Sequence, residues 1–306
     1  ADRNSTLMRQ GVTRELLADA SLRVQCRAAW ERIGELRIAL ESAEFGKRSD
    51  PMGRRLELLR MFRSVVEGLP DSFAGTQSAL QRVALWSTTV RESAGFQRMC
   101  QLLDYEDQRG ILELRVAVGR DGSLKSLDIV AAREGAVDPM NRGPVARWWS
   151  RLVNLLSGYS VREREVLGRL VETVFEGIQS ALTSLLQLGL HLEFYLAGLG
   201  LVQLARGAGL DVCLPTWSSA DSPVACEVDG LFNPFLLHEA TPPIPCQLRL
   251  GARGTLMLTG PNSGGKTRLL QSLGVLQLLA QSGLAVPAKQ AVLPWRDGLF
   301  VSLVHE

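Results

Sequence analysis

Lysine is nearly missing from this chain of 306 residues: Lys47, Lys125, Lys266 and Lys289 are the whole complement, and every other basic side chain is arginine. Histidine is equally scarce, with His191, His238 and His305. The five cysteines (Cys26, Cys100, Cys213, Cys226, Cys246) are odd in number, widely spaced and form no CxxC pair. With so few imidazoles beside them, neither a structural zinc site nor a disulfide framework is expected. The expectation is reduced, buried thiols in a cytoplasmic protein. Charge of either sign is not in excess, 34 Lys and Arg against 32 Asp and Glu, so any basic surface for nucleic acid has to be local. The first residues, ADRNSTLMRQ, lack the apolar core of a secretory signal. An uninterrupted apolar run of about 18 residues, the length of a membrane span, is also missing. The nearest, 178–205, contains Gln179, Gln187, His191, Glu193 and Gln203, so no membrane span is expected. There is no internal repeat, no low-complexity tract, no GxSxG elbow and no HExxH metal motif.

What is present is the composition of a folded chain, 46% apolar and 22% charged. Apolar residues recur at helical spacing from Asn4 to Glu44 and end at Gly46 and Ser49-Asp50-Pro51. A second helical stretch runs from about Arg54 to Val66 and stops at Gly68-Leu69-Pro70, and a third from about Ser72 to Asp107. The period then changes from helical to alternating. Residues 111–118 and 124–131 alternate around Asp121-Gly122, which predicts a β-hairpin over 110–132. Helical patterning resumes at Val145 and, after Gly158-Tyr159-Ser160, continues from about Val161 to Arg206 as a lever or bundle helix. Trp148-Trp149 reads as core packing in preference to a stacking platform. Prolines cluster after Asp211, and there we place the boundary between a helical domain, 1–210, and the start of an α/β domain, 211–306.

One motif carries chemistry. Gly260-Pro261-Asn262-Ser263-Gly264-Gly265-Lys266-Thr267 satisfies GxxxxGK(S/T), with an apolar stretch, Leu256 to Leu258, predicted as the strand before it and a helical run from Leu269 to Leu279 after it. Glycines let such a loop curl so that successive amides face phosphate oxygens, and the positive end of the following helix adds to the field. Lys266 is placed to reach the β- and γ-phosphates of ATP, and the Thr267 hydroxyl to ligate Mg²⁺.

These residues resemble the TGPN-x-GGK-(S/T) loop of the MutS family of DNA mismatch-repair ATPases. The likeness extends through Leu278-Leu279-Ala280-Gln281-Ser282-Gly283-Leu284-Ala285-Val286-Pro287-Ala288 and on to Asp297-Gly298-Leu299-Phe300, which looks like the family's next strand. Upstream, Gly230-Leu231-Phe232-Asn233-Pro234 stands where the family has Gly-x-His-Pro, with Asn233 in place of histidine. The resemblance implies α/β architecture overall: a mainly α lever and core with a small clamp-like hairpin, then the N-terminal part of an ABC-type P-loop ATPase domain. It implies ATP and Mg²⁺ as cofactors, a homodimer in the intact protein, and duplex or structured DNA as partner. Ile244 falls where the family sets an apolar residue against the adenine, and a plain strand residue is the other reading. Arg115, Arg120, Lys125 and Arg133 of the hairpin are candidate phosphate contacts, although Glu113, Asp121, Asp128 and Glu134 dilute their field and a solvated polar face is the other reading.

The sequence departs from the family in two respects. No apolar run ending in Asp-Glu follows Lys266, so the family's Walker B acid, its signature segment and its late histidine are expected beyond residue 306, and no catalytic residue is expected in this chain. No Phe-x-Glu wedge occurs, so mismatch recognition does not follow. The alternative function is a non-catalytic helical scaffold with a vestigial nucleotide pocket.

Overall fold

Two short polar residues break helices that the apolar periodicity joins. The computed structural model describes residues 2–45, 51–107, 110–118, 124–134, 160–219, 224–251, 254–261 and 264–300. The stretch read as one helix over 4–44 is two, α1 (Arg3–Ala18) and α2 (Ala20–Phe45). Between them Asp19 is extended, and its Oδ1 accepts from the amides of Ser21 at 2.7 Å and Leu22 at 3.1 Å. A carboxylate there satisfies amides that a new helix leaves without acceptors. Arg23 closes the other side, donating to the carbonyls of Leu16 and Leu17 at the end of α1. The stretch read as one helix over 72–107 is likewise two, α4 (Gln81–Glu92) and α5 (Ala94–Glu106), divided at Ser93, whose Oγ accepts from the Phe96 amide.

The helix expected to stop at Gly68-Leu69-Pro70 instead runs on as α3 (Pro51–Ser72) with Pro70 inside it. Proline has no N–H, so the carbonyl four residues back, on Val66, loses its helical donor. The fully buried hydroxyl of Ser87 on α4 donates to that carbonyl at 2.5 Å. A helix can therefore carry this proline because a neighbouring helix supplies the missing donor.

After α5 the chain forms an antiparallel hairpin of β1 (Gly110–Val118) and β2 (Leu124–Glu134), then the long helix α6 (Ser160–Gly207). The C-terminal part adds β3 (Thr216–Trp217), β4 (Val224–Leu231), β5 (Cys246–Gly251), α7 (Lys266–Ser282) and β6 (Gln290–Leu293). The molecule is thus mostly helical with a small mixed sheet, ordered β3-β6-β4-β5, in which β3 and β6 are parallel and the other pairs antiparallel.

The chain divides into two compact units that are not consecutive in sequence. One comprises Ala28–Ser72 and Val83–Gly189. Its helices bury Leu36, Leu59, Phe62, Val66, Leu69, Met99, Leu102 and Leu103, and the rings of Phe62 and Phe96 meet at 6.2 Å. A Cβ on Gly95 of α5 would meet the Gly177 carbonyl oxygen of α6, so the backbones touch where both residues lack a side chain. The other unit comprises Ala1–Arg27, Phe73–Arg82 and Leu190–Glu306. There α7 packs on the sheet through Leu276 and Ala280 against Cys226, Val228, Leu231, Val286, Ala288, Ala291 and Leu293.

Along α6 the buried residues Val171, Ile178, Leu185, Leu192 and Leu199 recur at every seventh position, the repeat of helices packed side by side. The expectation of no span-length apolar segment needs correcting. Over Gly168–Gly207 this helix is long and apolar enough to cross a membrane by length and composition, because single Gln and His residues do not bring its hydropathy below that range. The core helix of a soluble bundle passes the same test.

All five cysteines are free, and burial pushes the thiol of Cys26 up to about 12 and that of Cys213 to about 11, well above the range in which thiolates react.

Two stability predictions follow from these contacts. Ser87→Ala, which orphans the Val66 carbonyl, should lower unfolding free energy by about 1–3 kcal/mol. Adding Pro70→Ala, which restores a donor from within α3, should recover part of that loss in denaturant titrations; two strictly additive penalties would refute the pairing. Gly283→Ala should be worse, by about 2–4 kcal/mol, because it combines a left-handed backbone with steric overlap. The overlap is with α1, where the new Cβ would lie 2.5 Å from Arg9 Cβ.

Candidate functional site

The loop that enters α7 is built from backbone. Gly265, at the N-cap, adopts a left-handed φ of 81° and offers no side-chain oxygen to the amides that open the helix. Gly264 donates its amide to the Pro261 carbonyl at 3.1 Å, and a Cβ on it would sit 2.9 Å from that same oxygen, so only glycine fits so tight a turn. The first helical bond runs from the Leu269 amide to the Gly265 carbonyl at 2.9 Å. Lys266, the first residue of α7, folds back over the loop, and its Nζ donates to the carbonyls of Gly260 at 2.8 Å and Pro261 at 2.7 Å. The ammonium therefore already stands over the turn. Thr267 beside it is exposed.

The arrangement joins Gly260, Pro261, Gly264, Gly265, Lys266 and Thr267 in one turn; Asn262 and Ser263 lie outside the described residues. Ile244 is not part of that turn. Ile244 is 89% exposed and precedes β5, so it is not the strand residue that one reading made it. Two expected strands are also corrected. Residues 254–261 enter neither sheet, and Met257 is 83% exposed with Leu256 and Leu258 partly so. A strand needs a neighbour to take its amides and carbonyls, and among the described residues none runs beside this segment. The strand after α7 is Gln290–Leu293, not 297–300, where Phe300 is 96% exposed. Among the described residues no group of three His, Cys, Asp or Glu side chains is placed to hold a metal ion.

The hairpin residues are placed by register alone. Arg115 stands opposite Asp128 and Arg133 opposite Ile111, while Lys125 falls in the irregularity between Ser126 and Leu124; Arg120 lies outside the described residues. Arg115 and Asp128 are thus the cation and anion that the register sets opposite each other.

The model of MutS domain V matches residues 256–305. Over residues 256–305 the chain is similar to MutS domain V. The chain is 49% identical over 51 residues to endonuclease MutS2 of Thermus thermophilus, a stretch covering 17% of this chain and 7% of that protein. Endonuclease MutS2 of Lactobacillus helveticus is 52% identical over 48 residues, 15% of this chain and 6% of that protein. The same-named protein of Clostridium botulinum is 40% identical over 65 residues, 21% of this chain and 8% of that protein. The matched stretch is therefore less than a tenth of the length of these relatives, and the family-model match takes in α7.

Several contributors to the site carry no sequence signal. Asn233 reads in the sequence only as a departure from histidine, yet it is buried and reaches α7. Thr6 and Thr13 of α1 donate to carbonyls at the far end of α7, 275 and 270 residues away. Contacts at such separation leave no local pattern.

Proposed function

We propose that residues 211–306 are the N-terminal part of a MutS-like P-loop ATPase domain and that residues 1–210 are the helical core and lever that it drives. The observation that carries this is Lys266, which spans the glycine turn at the open start of α7. Backbone amides of the loop and the positive helix end would hold the β- and γ-phosphates of ATP. Lys266 would exchange two carbonyl acceptors for phosphate oxygens, and the Thr267 hydroxyl would ligate Mg²⁺, which supplies charge neutralisation between the phosphates. The water-activating acid belongs outside this set, so hydrolysis is assigned to the intact protein and not to this chain alone. Ile244, exposed before β5, remains the candidate for the face of the base.

In the intact cytoplasmic protein, two such subunits would close around nucleotide and tighten a clamp on duplex or structured DNA, with hydrolysis as the reset. Arg115, Arg120, Lys125 and Arg133 are the proposed phosphate contacts of the hairpin.

Lys266→Ala in the full-length protein should abolish MgATP binding in calorimetric titration, and an unchanged affinity would refute the site. DNA binding should weaken steeply between low and physiological salt, since each phosphate contact releases counterions, and should change when ATP is added. A helical scaffold with a vestigial pocket would show neither dependence.

A further inference from the structure

Asn233 occupies a position where an amide does more than fill space. It is 4% exposed, and each polar atom of its side chain is committed. Its Nδ2 donates to the Arg268 carbonyl at 2.9 Å and lies 3.3 Å from Gln271 Oε1; its Oδ1 accepts from the Phe235 amide at 2.9 Å. This network fixes the orientation of the amide, since reversing it would set oxygen against the Arg268 carbonyl.

The Arg268 carbonyl lies in the first turn of α7, one residue beyond Thr267. It also accepts from Ser272 Oγ at 2.8 Å, so side chains from outside and inside the helix converge on it. Gln271 Oε1 in turn receives the Arg268 guanidinium at 3.1 Å. The segment that presents Asn233 is itself immobilised from the other side. The Phe232 amide donates to the Pro287 carbonyl at 3.1 Å, and Gly230, with a φ of 68°, lies so close to Lys289 that a Cβ would stand 2.9 Å from its Cβ. Asn233 therefore links a rigid turn to the one turn of α7 from which Lys266 and Thr267 project.

We infer that Asn233 is a positioning residue for the phosphate site: its amide holds the first turn of α7, and through it Lys266 and Thr267, in the geometry that receives nucleotide. This rests on the nucleotide-binding reading of the loop. A site built this way depends on the supporting contact as well as on the residues that touch ligand.

The test measures MgATP affinity of the full-length protein by calorimetry, with thermal unfolding in parallel. Asn233→Ala should weaken binding about tenfold or more, in line with loss of a buried, geometry-setting hydrogen bond. Asn233→His, which keeps an N–H donor, should recover most of the affinity, and Asn233→Asp, which sets an acceptor against the carbonyl, should be the weakest of the three. Ser87→Ala, in the other compact unit, is the control for destabilisation and should bind as the unaltered protein does. Wild-type affinity in Asn233→Ala, or an equal loss in Ser87→Ala, would overturn the inference. If the alanine variant does not fold, Asn233→Gln, whose amide is displaced by a methylene, takes its place, and unchanged affinity there overturns it equally. Failure of Lys266→Ala to alter binding is a separate result that removes the nucleotide reading itself.

Discussion

The absence of a side chain at Gly283 is the constraint on which the C-terminal unit depends. The residue ends α7 in a left-handed conformation, with φ at 81°, and the Leu284 amide closes the helix by donating back to the Leu279 carbonyl. At the same point α1 passes so closely that a Cβ would lie 2.8 Å from the Thr6 carbonyl oxygen and 3.0 Å from the Gln10 amide. That approach is what allows Thr6 and Thr13 to donate to the carbonyls of Gln281 and Gly283, each at 2.7 Å. Helix ends leave carbonyls without donors, and here another helix supplies them. Once α1 is seated, Gln10 donates to the Pro215 carbonyl at 2.9 Å, and Arg3 stands 5.3 Å from the ring of Trp295, which stacks on Trp217 at 3.7 Å. One missing methyl group thus joins α1 to α7 and the sheet beneath it.

A second cost and return runs along α6. Glycine inside a helix is unfavourable by about 1 kcal/mol relative to alanine, yet α6 contains several. Three of them sit where another backbone or side chain comes within contact range: Gly177 beside Gly95, Gly189 against Ile33, and Gly198 against Leu284. Close approach increases the dispersion contacts that each helix makes with its neighbour, which offsets the propensity lost. The seven-residue repeat of buried residues on the same helix says the same thing in another form. Propensity alone would not hold so long and glycine-rich a helix; packing does.

Local chemistry was readable from sequence, and long-range satisfaction was not. The glycine turn that opens α7 is legible because backbone curvature and one ammonium suffice to define it. The hairpin is legible because Asp121-Gly122 sits between alternating runs, and the ends of α6 fall within a residue of the pattern. Breaks at Asp19 and Ser93 were missed because short polar residues that cap helices also occur within them. Pro70 was misread as a stop because its rescue comes from Ser87, on a different helix. Residues 254–261 were misread as a strand for the converse reason. Their apolar pattern is strand-like, but a strand is made by its neighbours and none of those described lies alongside.

The reach of the family likeness and the reach of the supporting contacts do not coincide, and the difference is informative. Domain V similarity begins at residue 256, so the loop, α7 and Gly283 are all inside it. Residues 286–293 within it pack against α7, but several groups that hold the helix are outside it: Asn233 at its first turn, Thr6 and Thr13 at its last carbonyls, and the strands β4 and β5 below. A phosphate loop needs its few residues in a fixed chemistry, and that chemistry can be shared between distant proteins. Holding the helix behind the loop needs only a donor at the right place, which Asn, Thr or another short polar residue can supply from any element that packs there. A nucleotide bound at the front of α7 would meet a helix fixed at both ends, so its binding energy could not be dissipated in local slippage of that helix. On the proposed reading, a nucleotide that favoured a displaced α7 would carry α1 and the sheet along with it.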